Sequence, residues 1–120
     1  MPGKLVFLVT HGLDNPERAT IAFTMATATQ AMGAEVLIGL LGDGAELVRK
    51  GTAEQINFPG CTPLQVLLEA FLARGGMLYT CPPGLEARHI TPRDYIEGVR
   101  VMHASDFAKA YIDAANVLSF

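Results

Sequence analysis

Two cysteines and three histidines are the residues of this 120-residue chain that can act as nucleophiles or proton carriers near neutral pH. Cys61 and Cys81 lie 20 residues apart, without a C-x-x-C pair and without a histidine at ligand spacing. This spacing is typical neither of a disulfide framework nor of a metal site. We therefore expect two reduced thiols with separate roles, no bound metal and no cofactor.

Cys81 is the strongest candidate for a catalytic residue. It directly follows an apolar strand, Met77–Thr80, and precedes a short helical segment that starts near Pro83. The reactive form of cysteine is the thiolate, which a helix N-terminus and a nearby cation such as Arg88 both favour. The alternative is that Cys81 is a buried small hydrophobe, the commonest fate of a free cysteine. We favour a function because of its place at the strand end.

The sequence matches neither the phosphate-binding loop of cysteine phosphatases nor a glycine-rich nucleotide-binding loop. The segment from Cys81 to Arg88 resembles the anion loop of cysteine phosphatases, but it holds one residue more between cysteine and arginine. Pro82 and Pro83 also remove two of the backbone N–H groups that would hold a phosphate. No glycine-rich nucleotide loop is present. The sequence therefore argues against a phosphatase or a nucleotide-binding protein.

The elements that position these residues alternate between strands and helices. We predict strands at Lys4–Thr10, Glu35–Leu41, Met77–Thr80 and Gly98–Met102. Between and after them we predict helices from Asn15-Pro16-Glu17 to about Met32, over Ala45–Lys50, from a capping box at Thr62-Pro63 to Arg74, and from Ser105 to about Ala115. The last residues, Val117–Phe120, form either an edge strand or a tail.

This alternation predicts one α/β domain over residues 1–120, with a flavodoxin-like, three-layer αβα architecture. We expect a mainly parallel five-stranded sheet in the order 2-1-3-4-5. Ligands of such sheets bind at the carboxyl ends of the strands, where the strand order reverses. In this order His11 and Cys81 flank the reversal, and His103 follows the fourth strand. His11, Arg88 and His103 are therefore candidate supporting residues, although His11 could instead stabilise only its own turn.

Composition and charge limit the partners. Half of the residues are apolar and 18% are charged. The net charge is −3, and the sequence has no run of lysines or arginines. We therefore expect no nucleic-acid partner. The longest uncharged run, Ala19–Ala34, has 16 residues, whereas a membrane span needs about 20 largely apolar ones. We expect a cytoplasmic protein without a membrane segment.

Because the first long helix has an uncharged polar stripe, we expect another subunit to cover it. That stripe consists of Thr20, Thr24, Thr27 and Gln30.

The order and spacing of several short segments resemble the DsrE/DsrF-like family over essentially the whole chain. These segments are Thr10-His11-Gly12, Asn15–Ala19, Leu40–Gly44, Gly76–Cys81, Gly98-Val99 and Val117–Phe120. In family members of the sulfur-relay type, the cysteine that ends the third strand, here Cys81, carries sulfane sulfur as a persulfide. The resemblance also implies homotrimers or homohexamers, and donor or acceptor proteins as partners. The family usually has glycine after the arginine of this loop, where this chain has His89.

The leading hypothesis is a sulfurtransferase-type carrier, in which the Cys81 thiolate takes sulfur from a donor and yields it to an acceptor thiol. One alternative is a non-enzymatic oligomeric binding or scaffold protein of the same fold. Another is a redox sensor in which Cys61 resolves an oxidised Cys81.

Overall fold

A computed structural model describes residues 3–120 of the chain. The strands in this part are β1 (Lys4–Val9), β2 (Glu35–Leu40), β3 (Met77–Thr80), β4 (Val99–Val101) and β5 (Asn116–Ser119). The α-helices are α1 (Pro16–Ala31), α2 (Leu64–Ala73), α3 (Pro82–Ala87) and α4 (Ala104–Asp113). Three short 3₁₀ helices cover Gly42–Val48, Ala53–Gln55 and Pro92–Asp94.

The predicted fold class is confirmed, and all five strands run parallel in one sheet. The last residues of the chain form the edge strand β5, which pairs with β1. The helix predicted over Ala45–Lys50 is instead the 3₁₀ helix that starts at Gly42. An ideal Cβ at Gly44 would lie 2.1 Å from the carbonyl oxygen of Val9. This close approach holds the segment against the end of β1.

The strand order is β4-β3-β2-β1-β5, and it differs from the predicted 2-1-3-4-5. The strand β2 lies between β1 and β3, so the expected pairing of the first and third strands is wrong. The strands β2, β3 and β4 are each added next to the preceding strand, on the same side of β1. The last strand, β5, instead pairs with the opposite side of β1. Because each connection is long enough to reach either side, the sequence pattern does not distinguish the two orders.

Helices cover both faces of the sheet, but unequally. On the first face α1 and α2 pack over the main core, where the rings of Phe23 and Phe71 meet edge to face at 6.0 Å. On the second face α4 supplies Phe107, which lies directly over Gly39 of β2. An ideal Cβ at Gly39 would lie 2.6 Å from this ring. The second face is therefore thinly covered, and its side chains near β3 remain partly exposed.

The surface of α1 differs from the expected polar stripe. Thr20 is fully buried, and its hydroxyl donates to the carbonyl of Pro16 at 2.7 Å. Thr24 of the predicted stripe is exposed, and Thr27 and Gln30 are half-buried. Next to them Ile21, Met25 and Met32 are 41%, 50% and 78% exposed, so this side of the helix is more apolar than expected. Among residues 3–120, no helix combines the length and the apolar character that crossing a membrane requires.

Two helix starts also differ from the prediction. The predicted capping box at Thr62 is wrong, because α2 begins at Leu64 and its N-cap, Pro63, offers no side-chain hydrogen bond. Proline itself fixes the extended entry into this helix. The helix α4 begins one residue before Ser105, and the backbone N–H of His103 donates to the Asp106 carboxylate at 3.1 Å. This bond satisfies a donor at the helix start.

Candidate functional site

Cys81 lies at the carboxyl edge of the sheet, between the last residue of β3 and the first residue of α3. Two hydrogen bonds to Thr80 fix the end of this strand. The Thr80 hydroxyl donates to the Leu40 carbonyl at 2.8 Å, and the Met102 N–H donates to the Thr80 carbonyl at 2.8 Å. Cys81 is half-buried and packs with the apolar side chains of the thinly covered second face. The sulfur is thus held by a rigid strand end.

A cavity of about 310 Å³ opens beside the Cys81 sulfur. Small-molecule sites in proteins usually begin at about this size. The cavity lies between the start of α3 and the start of α4, so both elements contribute its walls. Its lining consists of Cys81, Pro82, Pro83, Glu86, His103 and Ala104. The site therefore combines one thiol, one carboxylate and one imidazole on otherwise apolar walls.

The surroundings of Cys81 favour the neutral thiol. Burial raises the pKa of Cys81 above its ordinary value. The expected activation by a helix N-terminus is weak, because α3 has only six residues and starts with two prolines that carry no N–H. Neither the burial of Cys81 nor the start of α3 therefore stabilises the thiolate.

Tyr111 of α4 is a neighbour of this site that the sequence reasoning missed. It packs in the same apolar cluster as Cys81, and its ring lies 6.1 Å from that of Phe107. Burial raises the pKa of Tyr111, and the negative charge of an ionised Cys81 raises it further. The four-residue spacing of Phe107 and Tyr111 on α4 was the available signal, since it places both rings on one helix face.

His103 is the predicted supporting residue that shares the cavity with Cys81. Arg88 faces another way, toward the loop after β2. Its guanidinium pairs with the Asp43 carboxylate at 3.1 Å and donates to the carbonyl of Gly84 at 3.2 Å. Arg88 thus fastens α3 to the 3₁₀ helix Gly42–Val48, and it is not part of the cavity wall.

His11 is not brought to Cys81, because β2 lies between their strands. Its Nδ1 atom lies 2.6 Å from a carboxylate oxygen of Asp14, whose other oxygen accepts the Gly12 N–H at 2.8 Å. This N–H and, to a smaller extent, the His11 imidazole lower the pKa of Asp14. His11 therefore stabilises the turn between β1 and α1, the simpler of its two predicted roles.

The remaining candidates lie outside the cavity wall. Cys61 is exposed in the loop before α2. His89 follows α3 with a φ of 56°, the left-handed conformation that favours glycine. Within the part of the chain described by the structure, no three side chains of histidine, cysteine, aspartate or glutamate are grouped so that they could hold a metal ion.

Comparisons with known proteins agree on the relationship. The family model described as the DsrE/DsrF-like family matches residues 3–120. The uncharacterized protein MK0008 of Methanopyrus kandleri is 32% identical over 117 residues, which cover 97% of this chain and 93% of that protein. The uncharacterized protein MJ0760 of Methanocaldococcus jannaschii is 31% identical over 114 residues, which cover 95% of this chain but only 41% of that protein. The chain thus spans less than half of the length of MJ0760.

Solved structures show the same fold. The YchN protein of E. coli aligns over the whole of both chains with a TM-score of 0.81 and 20% identity. The protein MTH1491 of Methanobacterium thermoautotrophicum has a TM-score of 0.75 and 14% identity, over 96% of this chain and 97% of that one. With the family match over nearly all residues, these likenesses confirm the resemblance seen in the sequence. The chain belongs to the DsrE/DsrF-like family.

Proposed function

We propose that this protein carries sulfane sulfur as a persulfide on Cys81 and passes it to an acceptor thiol. The observation that carries this proposal is the thiol in the wall of a cavity of about 310 Å³ at the carboxyl edge of the sheet. Ligands of open α/β sheets bind at this edge. Membership of a family generally related to sulfur relay supports the same chemistry.

The transfer consists of two exchanges between thiolates. In the first, the Cys81 thiolate attacks the outer sulfur of a donor persulfide, R–S–SH. The new S–S bond forms on Cys81, the donor S–S bond breaks, and the donor leaves as R–S⁻ with the bonding electron pair. In the second, an acceptor thiolate attacks the outer sulfur in the same way and Cys81 leaves as a thiolate. The sulfur moves at constant oxidation state, so no external oxidant or reductant is needed.

The half-buried position of Cys81 has a cost and a benefit for this chemistry. Because burial raises the thiol pKa, the resting protein holds little thiolate and reacts slowly with adventitious electrophiles. Thiolate forms when a donor with a suitable charge or hydrogen-bond donor occupies the cavity. Once formed, a persulfide in the cavity wall is partly shielded from bulk solvent thiols.

Intact mass after incubation with a persulfide donor tests the carrier function. We expect a gain of one sulfur atom that a reductant removes. The gain should disappear in Cys81→Ala and remain in Cys61→Ala, which serves as the matched control because Cys61 is exposed outside the cavity. No gain in the unmodified protein, while the donor loads a reference carrier in the same assay, would refute the proposal. A disulfide between the two cysteines would favour the redox sensor instead.

We further propose that copies of this chain associate through the apolar side of α1, in the trimers or hexamers that the family resemblance implies. Ile21, Met25 and Met32 are exposed along this side, and no charged residue occurs from Ala19 to Ala34. Exposed apolar side chains that line one side of a helix are typical of protein–protein contact sites. Light scattering should give a multiple of the 12.8 kDa chain mass, reduced in Met25→Lys. A monomeric mass at micromolar concentration would contradict this proposal.

A further inference from the structure

The cavity beside Cys81 has an uneven balance of charge. Glu86, in the last turn of α3, contributes a carboxylate to the wall that holds the sulfur. Within residues 3–120 this carboxylate forms no salt bridge, and the nearest arginine in sequence, Arg88, pairs with Asp43 instead. The other charged group in the wall is His103, whose imidazole gains charge only when it is protonated. The cavity wall that contains Cys81 therefore also contains a carboxylate without a salt-bridge partner among the described residues.

We propose that Glu86 is a specificity-determining residue, which disfavours anionic sulfur donors and makes neutral or cationic persulfides the preferred donor class. This inference rests on the proposed carrier function of Cys81 and adds the class of donor to it. An anionic donor must bring its charge into a cavity that already contains a carboxylate, and the transition state also carries the charge of the attacking thiolate. A cationic donor reduces both repulsions and itself favours the thiolate.

The size of the effect follows from the geometry of the cavity. A cavity of about 310 Å³ places its walls within roughly one Debye length of each other at physiological salt. Because the side chain of Glu86 is exposed, water screens its charge strongly. In such surroundings the repulsion of a doubly charged donor slows its reaction by about two- to threefold. A singly charged cationic donor should gain a smaller factor, about twofold.

Two donors of opposite charge test the inference by their rates of loading. Thiosulfate carries two negative charges, and the Cys81 thiolate takes its outer sulfur while sulfite leaves with the electron pair of the broken S–S bond. Cysteamine persulfide carries a positive ammonium group, and cysteamine thiolate leaves in the same way. Initial rates of sulfur loading are measured by intact mass in a Cys61→Ala background, so that Cys81 is the remaining thiol.

The decisive quantity is the ratio of the thiosulfate rate to the cysteamine persulfide rate. We expect Glu86→Gln to raise this ratio about three- to fivefold. Glu97→Gln is the matched control, because Glu97 is exposed and precedes β4, at the opposite edge of the parallel sheet. It should leave the ratio unchanged. Raising the salt concentration should raise the ratio more in the unmodified protein than in Glu86→Gln, which a purely structural role of Glu86 would not explain.

Three results overturn the inference. If Glu86→Gln loads both donors with the ratio of the unmodified protein, Glu86 does not select the donor, although Cys81 remains a carrier. If Glu97→Gln changes the ratio equally, the overall charge of the protein explains the effect. If neither donor loads Cys81 in any variant, the carrier function fails and this inference fails with it. Glu86→Ala provides a second uncharged variant should the glutamine protein fold poorly.

Discussion

Replacing His89 by glycine should stabilise the protein. His89 is exposed and has a φ of 56°, where a residue with a Cβ pays about 1–2 kcal/mol. Glycine removes this strain but gives the unfolded chain more freedom, worth about 0.5–1 kcal/mol. The backbone bonds around His89 do not depend on its side chain, since its N–H donates to the Glu86 carbonyl and that of Ile90 to the Leu85 carbonyl. We therefore expect a net gain of about 0.5–1 kcal/mol in the free energy of unfolding.

Urea unfolding at a fixed protein concentration measures this gain, since an oligomer would make stability depend on concentration. The matched control is His103→Gly, which makes the same chemical change where φ is −85°. There glycine relieves no strain, and we expect a loss of a few tenths to about 1 kcal/mol. The reasoning is refuted if His89→Gly has an unchanged slope in urea and a midpoint equal to or below that of the unmodified protein.

Three further predictions concern the thiol and two contacts. In Cys61→Ala, the pH midpoint for alkylation of Cys81 should lie above that of a free cysteine peptide, because burial raises the thiol pKa. Since the thiol of the unfolded chain then ionises at lower pH than that of the folded protein, the free energy of unfolding should fall as the pH rises above the ordinary thiol pKa. A midpoint at or below the peptide's would contradict this. Gly44→Ala should cost about 2–4 kcal/mol in urea unfolding because its Cβ would collide with the end of β1, whereas Gly84→Ala, with ordinary contacts at 3.6 Å, should be near neutral or stabilising. Asp43→Asn should cost less than about 1 kcal/mol because the Asp43 side chain is 57% exposed, so a larger loss would show that the pair does more than tether α3.

The fold class could be predicted because β1, β2 and β3 are largely apolar runs and α1 has a recognisable start at Asn15-Pro16. The parallel arrangement follows from the alternation of strands and helices. The strand order could not be predicted, since it depends on whether β3 is added next to β2 or on the other side of β1. In the structure β1 pairs with β2 and β5, and β3 pairs with β2, which no local pattern in the sequence specifies.

The candidate site could likewise be predicted only in part from the sequence. Cys81 and His103 could be predicted as neighbours because they follow strands that pair side by side, β3 and β4. His11 could not be placed correctly, because its proximity depended on the wrong strand order. Glu86 was missed since its direction is set by a helix of six residues, whose rotation about its axis has no signature in composition. The sequence therefore indicated the edge that carries the chemistry, but only part of its wall.

The pairing of β5 with β1 also bears on how the domain forms and opens. The Thr10 N–H and hydroxyl both donate to the carbonyl of Phe120, a contact across 110 residues of sequence. Contacts of such separation are expensive in chain entropy, so β5 should dock late, after the first four strands have formed their neighbour-to-neighbour sheet. As an exposed edge strand with one partner, β5 should also exchange its amide hydrogens before β2 does. Each such opening breaks the two hydrogen bonds from Thr10 to Phe120, whereas β1 keeps its pairing with β2.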